Sequence, residues 1–174
     1  SDLPSRRRFF TWAGLTGASI VVGNQLGFAE DASKPTVVAL LSDTHIDADK
    51  TKLLRDVVMA EHLAKVWEQV TAASAKLSAA IVHGDVACLK GEAGDYRQVA
   101  QLLIPAGKAA VPLHFMLGNH DDRDNFREVL KASSASPLES HHVSLLQTSH
   151  ANRFLLDSLE FVNKVPGKLG EAQL

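Results

Sequence analysis

The sequence predicts an α/β fold with a mostly parallel sheet, and three observations carry that prediction. First, the apolar runs at residues 36–42, 79–82 and 111–117 lack the alternation of a half-exposed strand and suit strands buried on both faces. Second, the stretches between them, 52–76 and 95–110, repeat their apolar residues at helical spacing. Strand, helix, strand, helix, strand implies parallel β-α-β crossovers. Third, each apolar run ends in polar residues of metal-ligand type: Asp43-Thr44-His45, Gly84-Asp85 and Gly118-Asn119-His120-Asp121. Ligand crevices in such sheets form at the carboxyl ends of the strands. The fold class by itself therefore gathers residues 43–45, 85 and 119–121 into one crevice.

The elements follow in chain order. Residues 1–29 read as an export signal. Arg6-Arg7-Arg8-Phe9-Phe10 precedes a mildly apolar run over 11–22, and Gly27 and Ala29 are the small residues before a cleavage point after Ala29. The arginine pair followed by Phe-Phe is the pattern of a twin-arginine signal. The apolar run is short and rich in Gly, Thr and Ser, which argues against a stable membrane anchor. Cleavage there removes three Arg and one Asp and takes the net charge from −2 to −4. The expected partner of this segment is the twin-arginine export machinery, and the expected location is periplasmic or extracellular. Residues 30–35 are a polar linker, and 36–174 form the domain.

Within that domain, Leu54, Val57, Leu63, Val66, Trp67, Val70, Ala73 and Leu77 define the stripe of the first helix, over 52–76. A loop with two glycines spans 87–94. Pro105 is expected to kink or split the helix at 95–110. A short helix spans 123–131, with Asp122 as its N-cap. A Ser/Ala/Pro loop covers 132–137, a fourth strand 153–157, and part of another 160–162. Residues 167–174 read as a loop leading towards a helix. No internal repeat is visible.

The polar clusters have definite chemistry. On an extended segment Asp43 and His45 point the same way. One oxygen and one nitrogen make half a site for zinc, iron or manganese. Asp85 offers two oxygens and can bridge two ions, and Gly84 allows a sharp turn before it. Asn119 offers a neutral carbonyl oxygen. His120 diverges from its neighbour on an extended segment, so it reads as an acid or a charge stabiliser, with Asp121 fixing its tautomer and raising its pKa. Taken singly, each cluster also reads as an ordinary loop, turn or helix cap. The three together, each at a strand end, form a site.

The set Asp43-x-His45, Gly84-Asp85, Gly118-Asn119-His120-Asp121 resembles the calcineurin-like metallophosphoesterase superfamily over residues 36–174. Gly118-Asn119-His120-Asp121-Asp122-Arg123 with Phe126 looks like the class III cyclic-nucleotide phosphodiesterase and glycerophosphodiesterase branch. The stretch Arg153-Phe154-Leu155-Leu156-Asp157-Ser158, with residues 170–174, looks like the strand and turn that follow there. The resemblance implies the N-terminal half of a β-α-β sandwich and a dinuclear centre of divalent or trivalent ions (Fe, Mn or Zn). Asp43, His45 and Asp85 would hold one ion, and Asp85 and Asn119 the second. His120 would face the leaving group with Asp121 behind it. The implied activity is hydrolysis of a small phosphoester, by a phosphodiesterase or phosphatase, through metal-bound hydroxide.

The family also carries a later histidine and a Gly-His-x-His motif, neither of which occurs up to Leu174. The expectation is therefore a partial domain, weakly active or inactive. The alternatives are a non-catalytic fragment holding at most one ion and a nuclease of the same superfamily. With 18 Lys plus Arg against 20 Asp plus Glu there is no basic stripe for nucleic acid. Of the eight histidines, His141, His142 and His150 precede the Arg153 strand, where the family has no ligands. They read as surface or loop residues, and His62, His83 and His114 as structural. The single cysteine, Cys88, excludes an internal disulfide and a Cys-based zinc site.

Overall fold

A computed structural model describes residues 36–104, 110–131, 136 and 138–174. The export signal at 1–29, the linker at 30–35 and Pro105 lie outside the described residues. The described chain has the expected α/β architecture. A parallel sheet runs in the order β1 (Val38–Leu41), β4 (Ala79–His83), β5 (Leu113–Met116). Its register pairs Leu40 with Ile81 and Ile81 with His114. β4 is central, and its first four residues are all buried, as an unbroken Ala-Ala-Ile-Val run requires.

Helices α1 (Met59–Ala72), α2 (Ala93–Leu103) and α3 (Arg123–Val129) cover one face. The core on that side joins Leu63 and Trp67 of α1, Tyr96 and Val99 of α2 and Phe126 of α3 to Val82 and Phe115 of the sheet. Each large apolar side chain buried here contributes roughly 1.5–3 kcal/mol. On the opposite face, Ala79 and Ile81 pack against Leu146 and Leu155. These last two come from an antiparallel hairpin, β6 (Ser144–Gln147) and β7 (Asn152–Leu155).

Several expected boundaries are corrected. The helix over 52–76 starts only at Met59, because Arg55 and Asp56 take positive φ (51° and 65°). They turn a small hairpin between β2 (Leu53–Leu54) and β3 (Val57–Val58), where β-branched Val57 and Val58 favour extended backbone. Val66, assigned to the buried stripe, is 43% exposed, and the stripe that packs is Leu63, Trp67 and Val70. α2 begins two residues before its expected start. Asp95 Oδ2 accepts from the N–H of Glu92 at 3.1 Å and secures that end. Asp122 caps α3 as expected, accepting from Asn125 N at 2.9 Å. Residues 160–162 form no strand: Phe161 is exposed and its carbonyl closes a turn with Lys164 N. β6 escapes sequence reading because its Ser-Leu-Leu-Gln has adjacent apolar residues and no alternation.

Candidate metal centre

The carboxyl ends of β1, β4 and β5 carry the three loops that hold the predicted site residues. Tight backbone pairing continues past the strands. Asp43 N donates to Gly84 O at 3.2 Å, His45 N to Asp85 O at 2.9 Å and Ile46 N to Val86 O at 3.1 Å. The segment is not extended, contrary to expectation, since Asp43 and His45 both have positive φ (53° and 44°). The two side chains still converge, with Asp43 Oδ1 4.0 Å from His45 Nε2.

Asp85 also has positive φ (46°) and follows Gly84 at 78°. Its two oxygens are divided between neighbours. Oδ1 accepts the main-chain N–H of His120 at 3.0 Å, and Oδ2 lies 3.8 Å from His45 Nε2. Gly118 passes directly beneath this carboxylate. A Cβ there would stand 2.1 Å from Asp85 Oδ1, so only glycine fits.

His120 joins the cluster instead of standing apart from it. Its ring meets His45 edge-to-face at 5.2 Å between centroids. One ligand-capable atom from each of His45, Asp85 and His120 lies within 4.8 Å of the others. His120 Nδ1 is 2.8 Å from the carbonyl of Leu89. A carbonyl only accepts, so Nδ1 carries the hydrogen and Nε2 is left free for a ligand or a proton.

The expected contact of Asp121 with His120 is not formed. Asp121 is fully buried and turns the other way. It accepts from Gly118 N at 2.8 Å, Ala87 N at 3.0 Å, Val86 N at 3.1 Å and Tyr96 Oη at 3.1 Å. Burial pushes its pKa up, opposed by the N–H groups of Gly118, Ala87 and Val86. The orienting partner of His120 is a backbone carbonyl, which no residue-type pattern reveals.

Asn119 lines a cavity of about 230 Å³ with Asp43, Asp85 and Gly118. His83, read from sequence as structural, lines it too, as do Leu156 and Ser158 beyond β7. The other histidines lie elsewhere. His142 is buried, its Nε2 3.1 Å from Phe115 O, and burial lowers its pKa. His114 is also lowered by burial, His141 pairs with Ser140 Oγ, and His150 meets Thr36 Oγ1 at 2.9 Å. His62 is exposed on α1.

An ion pair that sequence reading missed secures the far wall of the cavity. Arg123 Nε donates to Asp157 Oδ2 at 2.6 Å and Nη2 to Oδ1 at 3.1 Å. Burial raises the Asp157 pKa, but Arg123 and the N–H groups of His142 and Leu159 outweigh it and hold the carboxyl below its usual range. Gln173 clasps the Asp157 backbone on both sides, at 2.8 and 2.7 Å.

These donors fit a divalent transition-metal ion. Two imidazoles and a carboxylate are the ligand types of zinc, iron and manganese, and they converge within 4.8 Å among the described residues. Asp43, beside His45, adds a further oxygen.

No protein-family model matches the chain. It is 32% identical over 119 residues to a cAMP/cGMP dual specificity phosphodiesterase of Mycobacterium tuberculosis (strain CDC 1551 / Oshkosh), covering 67% of this chain and 37% of that protein. It is 30% identical over 146 residues to a 3',5'-cyclic adenosine monophosphate phosphodiesterase of Pseudomonas aeruginosa, covering 84% of this chain and 49% of that protein. Over most of its sequence, the chain is therefore similar to cyclic-nucleotide phosphodiesterases of which it spans less than half the length.

Proposed function

We propose that this chain carries part of a metal-dependent phosphodiesterase of the calcineurin-like metallophosphoesterase superfamily, acting on a small cyclic-nucleotide type of phosphodiester. The observation that carries the reading is the convergence of His45, Asp85 and His120 within 4.8 Å, at the carboxyl ends of parallel strands. Similarity to two phosphodiesterases supports the substrate class.

In this reading His45 and Asp85, with His120 and Asp43 beside them, would hold one ion. Asp85 and Asn119 would contribute to a second in the whole protein. When bound, the ions supply Lewis-acid activation of water and neutralise charge on phosphoryl oxygens. The chain's own contribution is placement. Gly118 leaves room for the Asp85 carboxylate, and Asp85 fixes the His120 backbone. The Leu89 carbonyl keeps the His120 hydrogen on Nδ1 and leaves Nε2 as the atom that would face the ion or the departing oxygen.

The test is turnover of 3',5'-cAMP and bis(p-nitrophenyl) phosphate with added Mn²⁺, by the whole protein that carries this chain and by its Asp85→Asn variant. Metal-dependent turnover that the variant abolishes, together with its bound metal, is expected. The reason is that an amide supplies only one good oxygen donor and no charge. Wild-type metal content in the variant, by plasma emission spectrometry, overturns the assignment.

A second reading has one observation in its favour. Among the described residues, the His, Cys, Asp and Glu donors form one group of three, at His45, Asp85 and His120. A chain that binds a single ion and turns over neither substrate fits that geometry, because two-metal catalysis needs both ions to clamp the attacking and leaving oxygens. One bound Mn²⁺ per chain with no turnover selects it.

The arginine pair Arg6-Arg7 and the following Phe9-Phe10 support export by the twin-arginine route to the periplasm.

A further inference from the structure

The first turn of α2 bonds to two of the three loops of the metal centre and reaches the third through Asp121, while contributing no ligand. Asp95 Oδ1 accepts the N–H of Ala48, at the end of the loop that carries Asp43 and His45, at 2.8 Å. The next residue, Tyr96, is fully buried. Its hydroxyl donates to Asp121 Oδ1 at 3.1 Å and accepts the N–H of Asp122 at 2.8 Å. Asp121 in turn accepts Val86 N and Ala87 N, directly after Asp85, and Gly118 N, directly before Asn119 and His120. Among the described residues, the Tyr96 hydroxyl is therefore the side-chain donor to a carboxylate that pins the Asp85 loop to the His120 loop. The space is closed: a Cβ on Gly91 would stand 2.6 Å from the Tyr96 oxygen and 2.4 Å from Asp122 N.

We propose that Tyr96 is a positioning residue of the metal centre, setting metal affinity through Asp121 without touching the ion. The inference rests on the reading of His45, Asp85 and His120 as a metal site. Ligands that are pre-placed lose little entropy on binding, and ligands on loops that separate must be reassembled by the ion. Without its hydroxyl donor, Asp121 keeps three backbone donors and loses its anchor to α2, and Asp122 N loses its acceptor. The Asp85–His120 spacing then loosens. The aromatic ring still packs edge-on against Phe126, 5.6 Å between centroids, so Tyr96→Phe removes the clamp and keeps the core.

The experiment measures Mn²⁺ binding to the full chain by titration calorimetry for wild type, Tyr96→Phe and His45→Ala. Hydrogen exchange at the amides of Val86, Ala87 and Gly118 is followed in the metal-free proteins. Tyr96→Phe is expected to weaken Mn²⁺ binding by about tenfold, the scale of one hydrogen bond to a charged acceptor. It is also expected to speed exchange at those three amides while the folded fraction at the assay temperature stays at the wild-type level. Wild-type affinity in folded Tyr96→Phe, with binding lost in His45→Ala, overturns the positioning role and leaves the metal site standing. Wild-type affinity in His45→Ala, or no Mn²⁺ binding by wild type, overturns both. Should Tyr96→Phe fail to fold, fluorotyrosine incorporated at Tyr96, the chain's single tyrosine, takes its place: an altered Mn²⁺ affinity supports the positioning role and wild-type affinity overturns it.

Discussion

The main-chain N–H of His120 donates to Asp85 Oδ1 at 3.0 Å. This bond joins the ends of two adjacent strands through groups 35 residues apart in the chain. It commits one carboxylate oxygen to the architecture and leaves the other, 3.8 Å from His45 Nε2, for a ligand. Architecture and metal binding therefore share one side chain.

Gly118→Ala is expected to break that arrangement. Its Cβ would stand 2.1 Å from Asp85 Oδ1 and 2.4 Å from Asp85 N, and backbone cannot give way as a flexible side chain can. The expected result is a stability loss of about 1–3 kcal/mol, typical of overpacking, with loss of Mn²⁺ binding. Thermal unfolding and calorimetric titration check both, and an alanine variant that binds Mn²⁺ normally contradicts the geometry.

Arg123→Ala is expected to destabilise strongly, by about 3–5 kcal/mol, because it leaves the buried Asp157 carboxylate without its counter-charge. The pH dependence has a definite sign. The folded pKa of Asp157 is below its usual value, so the pair's stabilisation is fully present above the unfolded pKa of about 3.9. It is lost as pH falls through the lower folded value. Unfolding midpoints of wild type and Arg123→Ala should converge as pH drops below about 4. A constant gap across that range excludes the ion pair as the cause.

His142 makes the opposite kind of group titrate in the same direction. Burial lowers its folded pKa, so the native state holds the ring neutral while the unfolded chain takes up a proton near pH 6.5. Stability from this group is complete above about 6.5 and declines as pH falls towards the folded value. His142→Phe keeps an aromatic edge against Phe126, whose centroid lies 4.8 Å away, and should flatten the slope of stability against pH just below 6.5. It also forfeits the bond to Phe115 O, worth about 1 kcal/mol. An unchanged slope in denaturant titrations at pH 5 to 6.5 places the acid sensitivity elsewhere.

Arg6→Lys with Arg7→Lys is expected to keep the protein in the cytoplasm, because a twin-arginine signal is read as a specific pair and not as bulk charge. Cell fractionation decides it, and an unchanged periplasmic yield assigns export to the general secretory route.

The α/β class, the parallel direction of the main strands and the positions of Asp43, His45, Asp85 and His120 at their carboxyl ends were legible in the sequence, and their order in the sheet was not. The reason is local: apolar run length, helical period and glycine placement are written in neighbouring residues, and parallel crossovers leave one end of the sheet for the polar clusters. Boundaries were less legible where turn geometry overrode periodicity, as at Arg55 and Asp56. What each site residue touches emerges from the packing of distant loops. Asp121 follows His120 in sequence, yet three N–H donors and the Tyr96 hydroxyl draw it into the core. Leu89, whose side chain is of no use to the site, supplies the carbonyl that orients His120. Backbone N–H and C=O groups are the same in almost every residue. Which of them meet depends on how loops distant in the chain are packed together, and no pattern of side-chain types records it.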